Sequence, residues 1–232
     1  MQLEEKHLPD RRPPGAYHGL TIQAAEDSVR ADGKLDIIIH CAGGDVLGVL
    51  HPSDGAREAV LWVSGSFGGF TGPAGLYPDL ADSLTLLRMV SLRLHYRHPN
   101  AFDDCVADVL TGIAFLHGRG IEGVVLVGHS FGGAVVIAAG TSTSLVKGVV
   151  ALASQTHGAT AVAHLKPPLL LVHGMADRRL PPLCSQTIYQ WAPEPKPDLV
   201  LLPGATHSLR QCYEQVKELL RDWIRKRLKT AG

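Results

Sequence analysis

The sequence predicts an α/β fold: a three-layer sandwich with a mostly parallel central sheet and helices on both faces. Three observations carry this. Short apolar runs rich in Val, Ile and Leu recur along the chain, amphipathic helical patterns fall between them, and no repeat or low-complexity tract interrupts the alternation. With 232 residues, 45% hydrophobic and 19% charged, the chain can bury a real core and is too apolar for disorder. Lys+Arg (22) balance Asp+Glu (22), so no global field draws it to nucleic acid or an anionic membrane.

Residues 1–16 are charged and Pro-rich and read as a flexible N-terminal arm; residues 17–232 read as one domain, since no linker divides them. The apolar runs are 36–39, 60–63, 124–127, 149–152, 169–172 and 199–202. Runs apolar on both faces suit parallel strands covered on both sides. Residues 91–96 alternate instead, which predicts a strand with one wetter face. The runs at 36–41 and 46–51 flank Ala42-Gly43-Gly44-Asp45 and predict a hairpin, so the sheet opens with an antiparallel pair. Phe102, Val106, Val109, Leu110, Ile113 and Leu116 recur at helical spacing and predict a helix over 101–117, with Asp103 and Asp104 in the favourable first turn. Leu209, Val216, Leu219, Leu220, Trp223, Ile224 and Leu228 form one face of a C-terminal helix, and Arg225, Lys226, Arg227 and Lys229 read as its solvated end.

The longest apolar stretch, Val124 to Ala139, is broken by Gly128, His129 and Ser130, so no membrane span is expected, and the first residues lack the apolar core of a signal peptide. Cys41, Cys105, Cys184 and Cys212 match neither a zinc knuckle nor a C-x-x-C pair. They read as free thiols in a reducing compartment, and the expected localisation is cytoplasmic.

Val124 to Gly133 reads Val-Val-Leu-Val-Gly-His-Ser-Phe-Gly-Gly before a second apolar stretch: a strand, a tight turn and a helix, with G-x-S-x-G at the turn. Such a turn lifts the Ser130 hydroxyl above the sheet and sets it at a helix N-terminus, where an anion is favoured. A serine hydroxyl is a weak nucleophile that needs a base, and the base needs an orienting acid. Asp177 follows the run at 169–172 and His207 follows the run at 199–202. Both therefore fall at the C-terminal edge of a parallel sheet, on the same edge as Ser130. Asp103 and Asp104 fit a helix start, and Asp198 lies at the opposite edge.

On these residues the sequence resembles the α/β-hydrolase superfamily from about residue 17 onward, in the family order Ser130, Asp177, His207. The resemblance implies that Ser130 is the nucleophile, His207 the general acid/base and Asp177 the residue that fixes the imidazole tautomer. Serine at the elbow sets the chain apart from haloalkane dehalogenases, which carry Asp there, and from dienelactone hydrolases, which carry Cys. The resemblance also implies an oxyanion hole from two backbone N–H groups: that of Phe131, and one from the loop Ser64-Gly65-Ser66-Phe67-Gly68-Gly69-Phe70. Ser64 stands where the family often has His. Alignment points to Ser66 as the second donor, with Phe67 as the alternative.

Other histidines admit blander readings. His129 reads as a packing residue and His173 as a structural hydrogen-bonding one; His95 and His98 read as loop residues; His157 is open between loop and substrate contact. No His/Asp/Glu set has metal-ligand spacing, and Gly68-Gly69 with Gly72 lacks the Lys-Ser/Thr of a phosphate loop, so no metal or organic cofactor is expected. The interval 154–166 is too short for a sizeable lid. Phe67, Phe70, Leu76, Tyr77 and Leu180 are the expected apolar rim, with Phe67, Phe70, Tyr77 and Leu180 contacting substrate. The expected activity is a serine hydrolase acting on a small-molecule acyl substrate, a carboxylesterase for short- to medium-chain acyl esters. The alternatives are a thioesterase, an amide or peptide hydrolase, or a non-catalytic hydrolase-like binding protein. The sequence leaves the oligomeric state open.

Overall fold

The computed structural model describes residues 17–228; the arm expected at 1–16, and Lys229, lie outside the described residues. Nine strands form one sheet: β1 (Ile22–Val29), β2 (Leu35–Cys41), β3 (Gly44–His51), β4 (Glu58–Val63), β5 (Met89–His95), β6 (Gly123–His129), β7 (Val146–Leu152), β8 (Leu169–Gly174) and β9 (Asp198–Leu202). They run across the sheet in the order β1-β2-β3-β5-β4-β6-β7-β8-β9. The first three pair antiparallel, β3 pairs antiparallel with β5, and every pair from β5 to β9 is parallel. The predicted hairpin is present with a two-residue turn, Ala42-Gly43, tighter than the spacing of the apolar runs suggests.

Helices cover both faces. α1 (Leu76–Thr85) and α5 (Tyr213–Leu228) pack on one side with Val60, Trp62, Val125 and Val127; α2 (Phe102–Gly118), α3 (Phe131–Ala139) and α4 (Leu183–Trp191) pack on the other with Ala59, Leu61, Val63 and Leu126. Alternate residues of one strand thus feed two cores, which is why the central strands read as unbroken apolar runs. Removing a Val or Leu side chain from water contributes roughly 1.5–3 kcal/mol, so each central strand is strongly committed to its place and register.

Two strands depart from expectation. β1 carries no apolar run; its residues are exposed apart from half-buried Ile22, and it adds to the sheet edge through its ladder with β2. β5 was expected to have a wetter face, yet Ser91 and Arg93 are both buried. Arg93 is satisfied internally: its Nε donates to His51 Nε2 at 2.9 Å and its Nη1 to the Phe70 carbonyl at 2.9 Å, while His51 Nδ1 meets Asp82 Oδ1 at 2.7 Å. Residues 153–168, between β7 and β8, carry one short 3₁₀ turn, Ala159–His164.

Candidate active site

Ser130 joins β6 to α3 with φ 59° and ψ −118°, a conformation that costs on the order of 1–3 kcal/mol for a non-glycine residue. Its neighbours hold it there. Ser130 N donates to the Leu152 carbonyl at 2.8 Å, and its own carbonyl accepts from Gly133 N at 3.1 Å. The turn is tight enough to require both flanking glycines. A Cβ at Gly128 would collide with the Gly132 carbonyl, and one at Gly132 with the Ser64 carbonyl.

The structure brings Asp177 and His207 to this point. His207 Nε2 lies 3.0 Å from Ser130 Oγ, and His207 Nδ1 lies 2.7 Å from Asp177 Oδ2. The carboxylate takes Nδ1–H as a donor, which leaves the Nε2 lone pair to accept from the serine hydroxyl. The other Asp177 oxygen, Oδ1, accepts from Arg179 N at 2.8 Å and Leu180 N at 3.0 Å. Burial alone would raise the Asp177 pKa; the Leu180 amide, the His207 imidazole and the Arg179 amide outweigh it and hold the carboxyl below the ordinary value of 3.8. Two backbone bonds of 2.9 Å, Met175 N to the Leu202 carbonyl and Ala176 N to the Ala205 carbonyl, knit the two loops together.

A cleft of about 410 Å³ opens over Ser130, flanked by Ser66, Phe67, Thr71, Gln155, Arg179 and Leu180. The backbone N–H groups of Phe131, Ser66 and Phe67 make no hydrogen bond among the described residues. Ser64, in the place of the expected His, ties the loop internally: its Oγ accepts from Gly72 N at 3.3 Å and its carbonyl from the Tyr96 hydroxyl at 3.2 Å.

The expected apolar rim needs correction. Phe67, 86% exposed, and Leu180 do line the cleft. Tyr77 does not: it is fully buried, its ring 5.1 Å from that of Trp62 and its hydroxyl donating to the Val63 carbonyl at 3.0 Å. Leu76 is buried beside it, because both belong to the core face of α1. Phe70 turns away from the cleft and packs edge-on against His95, with ring centroids 5.7 Å apart.

Two histidines sit closer to the site than the sequence suggests. His129 Nε2 lies 2.9 Å from the His207 carbonyl oxygen; burial pushes its pKa down to about 4, so the neutral ring donates Nε2–H. His173, fully buried, takes a 2.7 Å contact from the Ser185 hydroxyl at Nδ1 and places Nε2 at 3.0 Å from the Leu180 carbonyl and 3.3 Å from Asp177 Oδ2. Burial lowers its pKa too, so it braces the acid loop as a neutral ring. No short-range pattern marks either role. His98 pairs with Asp104 on the surface at 3.0 Å, and His157 is exposed outside the cleft. Among the described residues, no group of three or more His, Cys, Asp or Glu side chains is placed to hold a metal, and no helix is long and apolar enough to cross a membrane.

No family model matches the sequence, and no curated protein matches it. Solved structures do. A dienelactone hydrolase from Anabaena variabilis is 17% identical, with 88% of this chain and 99% of that one covered at a TM-score of 0.74. XC6422 from Xanthomonas campestris, described as a serine hydrolase without a lid, is 17% identical over 88% of this chain and 100% of its own, at 0.70. Est1E from Butyrivibrio proteoclasticus with ferulic acid bound is 16% identical over 83% and 99%, at 0.72. At such identities the likeness establishes a shared architecture.

Proposed function

From the α/β-hydrolase fold of this chain, we propose that it is a serine hydrolase, a carboxylesterase for short- to medium-chain acyl esters. The observation that carries the reading is the relay Asp177–His207–Ser130, with contacts of 2.7 and 3.0 Å, on a strained turn beside uncommitted backbone donors. In this reading Ser130 Oγ attacks the ester carbonyl while His207 Nε2 takes its proton. Asp177 holds the tautomer and stabilises the imidazolium. The N–H of Phe131, with that of Ser66 or Phe67, receives the oxyanion. His207 then protonates the leaving alcohol, and water, activated by the same imidazole, releases the acid from Ser130.

The short 153–168 segment supports an open site with broad tolerance of substrate shape. The test is labelling with a fluorophosphonate probe, followed by turnover of nitrophenyl esters of increasing acyl length. Labelling at Ser130, lost in Ser130→Ala, and burst kinetics with an activated ester are expected. An unlabelled serine with no ester turnover would leave a hydrolase-like binding protein as the better account.

A further inference from the structure

Arg179 lines the cleft beside Ser130, and with Arg178 it also borders a second depression that shares His207 with the cleft. Its backbone is anchored to the site, since the Arg179 N–H is one of the donors on Asp177 Oδ1, while its exposed side chain extends from that anchor. Arg30, Arg57, Arg97, Arg119 and Arg227 each meet a carboxylate. Arg178 and Arg179 meet none among the described residues. Among the residues lining the two depressions, the sole acid is Asp177, and both of its oxygens are already engaged. The Gln155 amide, also on the cleft wall, donates to the His157 carbonyl at 2.9 Å. The mouth of the site therefore carries cationic and neutral groups with no carboxylate free to neutralise them.

We infer that Arg179, assisted by Arg178, selects esters that carry an anionic group, a carboxylate or a phosphate, within reach of the carbonyl that Ser130 attacks. The inference rests on the serine-hydrolase reading and deepens it. A guanidinium offers a planar fork that fits a carboxylate or phosphate through two parallel hydrogen bonds, and such charge-assisted bonds are about twice as strong as neutral ones. A cation already paired to a protein carboxylate would have to break that pair first; these two do not. Because the arginines are exposed, the preference is modest and weakened by salt.

The experiment compares matched esters. On the acyl side, the nitrophenyl monoester of glutaric acid is set against nitrophenyl butyrate; on the alcohol side, 4-acetoxybenzoate is set against its methyl ester. In at least one pair the anionic ester is expected to have about tenfold higher kcat/KM, carried by KM, and the ratio shrinks as salt is raised. In Arg178→Gln/Arg179→Gln the ratio falls to about one, and Arg179→Lys recovers part of it. The arm that responds tells whether the anion belongs to the acyl or the alcohol part. Ratios at or below one in both pairs, or a ratio that survives the double substitution, overturn the inference while fluorophosphonate labelling of Ser130 keeps the hydrolase reading intact. Absence of that labelling overturns both. Thermal melting of the double variant checks that its fold is unchanged.

Discussion

His129 Nε2 lies 2.9 Å from the carbonyl oxygen of His207, so the residue before Ser130 clamps the loop that carries the imidazole on the other side of the turn. The two rings lie 4.8 Å apart between centroids. Replacing His129 with Phe keeps an aromatic body but leaves that carbonyl without its donor. The expected result is a fall in kcat of roughly tenfold, from about 1–2 kcal/mol of lost positioning, with KM little changed. Because His129 is neutral at neutral pH, the loss is uniform across pH 6–8. His129→Gln, which retains an N–H donor, recovers part of the rate. A His129→Phe variant with wild-type kcat would show that the clamp is incidental.

Asp177→Asn tests the acid separately. Both oxygens of Asp177 accept: Oδ1 from two amides, Oδ2 from His207. In Asn one of the two positions becomes an NH₂: facing His207 it donates to Nδ1 and favours the wrong tautomer, and facing the Arg179 and Leu180 amides it sets donor against donor. The expected loss in kcat is about 10⁴-fold, as in the general triad template. A loss under about tenfold would transfer the acid role to another carboxylate.

Much of this arrangement is legible in the sequence, and what is not has a common cause. Ser130, Asp177 and His207 can be found because each follows an apolar run that marks a parallel strand, and the strand ends share one edge. β1 escapes because an edge strand wet on both faces has no apolar signal to read. Arg93 looks like the wet side of an alternating strand; its burial depends on His51, 42 residues away, which no local pattern encodes. Tyr77 looks like a rim aromatic, but α1 turns it onto Trp62. His129 finds its partner 78 residues downstream. Residue types and strand order are local properties; hydrogen bonds across the sheet edge are not.

Asp108 is fully buried in α2 and accepts from Arg97 Nε at 2.5 Å and Arg97 N at 2.8 Å, while Arg97 Nη1 donates to the Gly43 carbonyl at 3.0 Å. This pair joins the segment after β5 to a helix and to the β2–β3 turn. Asp108→Ala leaves a guanidinium that is largely enclosed and has no counter-charge. The expected loss of stability is on the order of 3–5 kcal/mol, read from urea unfolding. Asp108→Asn, which keeps an acceptor of the same shape, loses less.

His51 and His129 make stability depend on pH. Burial first, then Arg93, pushes His51 down to about 4 against the pull of Asp82; burial pushes His129 down to about 4 against its bond to the His207 carbonyl. The ordinary value is 6.5 for both. As pH falls through 6.5 the unfolded chain takes up these protons, and the native chain does so only near 4. The unfolded state therefore binds more protons across that interval, and stability decreases as the solution is acidified. Between neutral pH and about pH 5 each ring accounts for about 2 kcal/mol. Asp177, whose pKa is depressed, contributes stability that is present above 3.8 and lost only at lower pH, so it does not mask the trend. Urea midpoints should fall measurably from pH 7 to pH 5, and His51→Gln, which cannot titrate, should flatten the slope. Equal midpoints at the two values would mean that these rings already protonate in the folded protein without penalty.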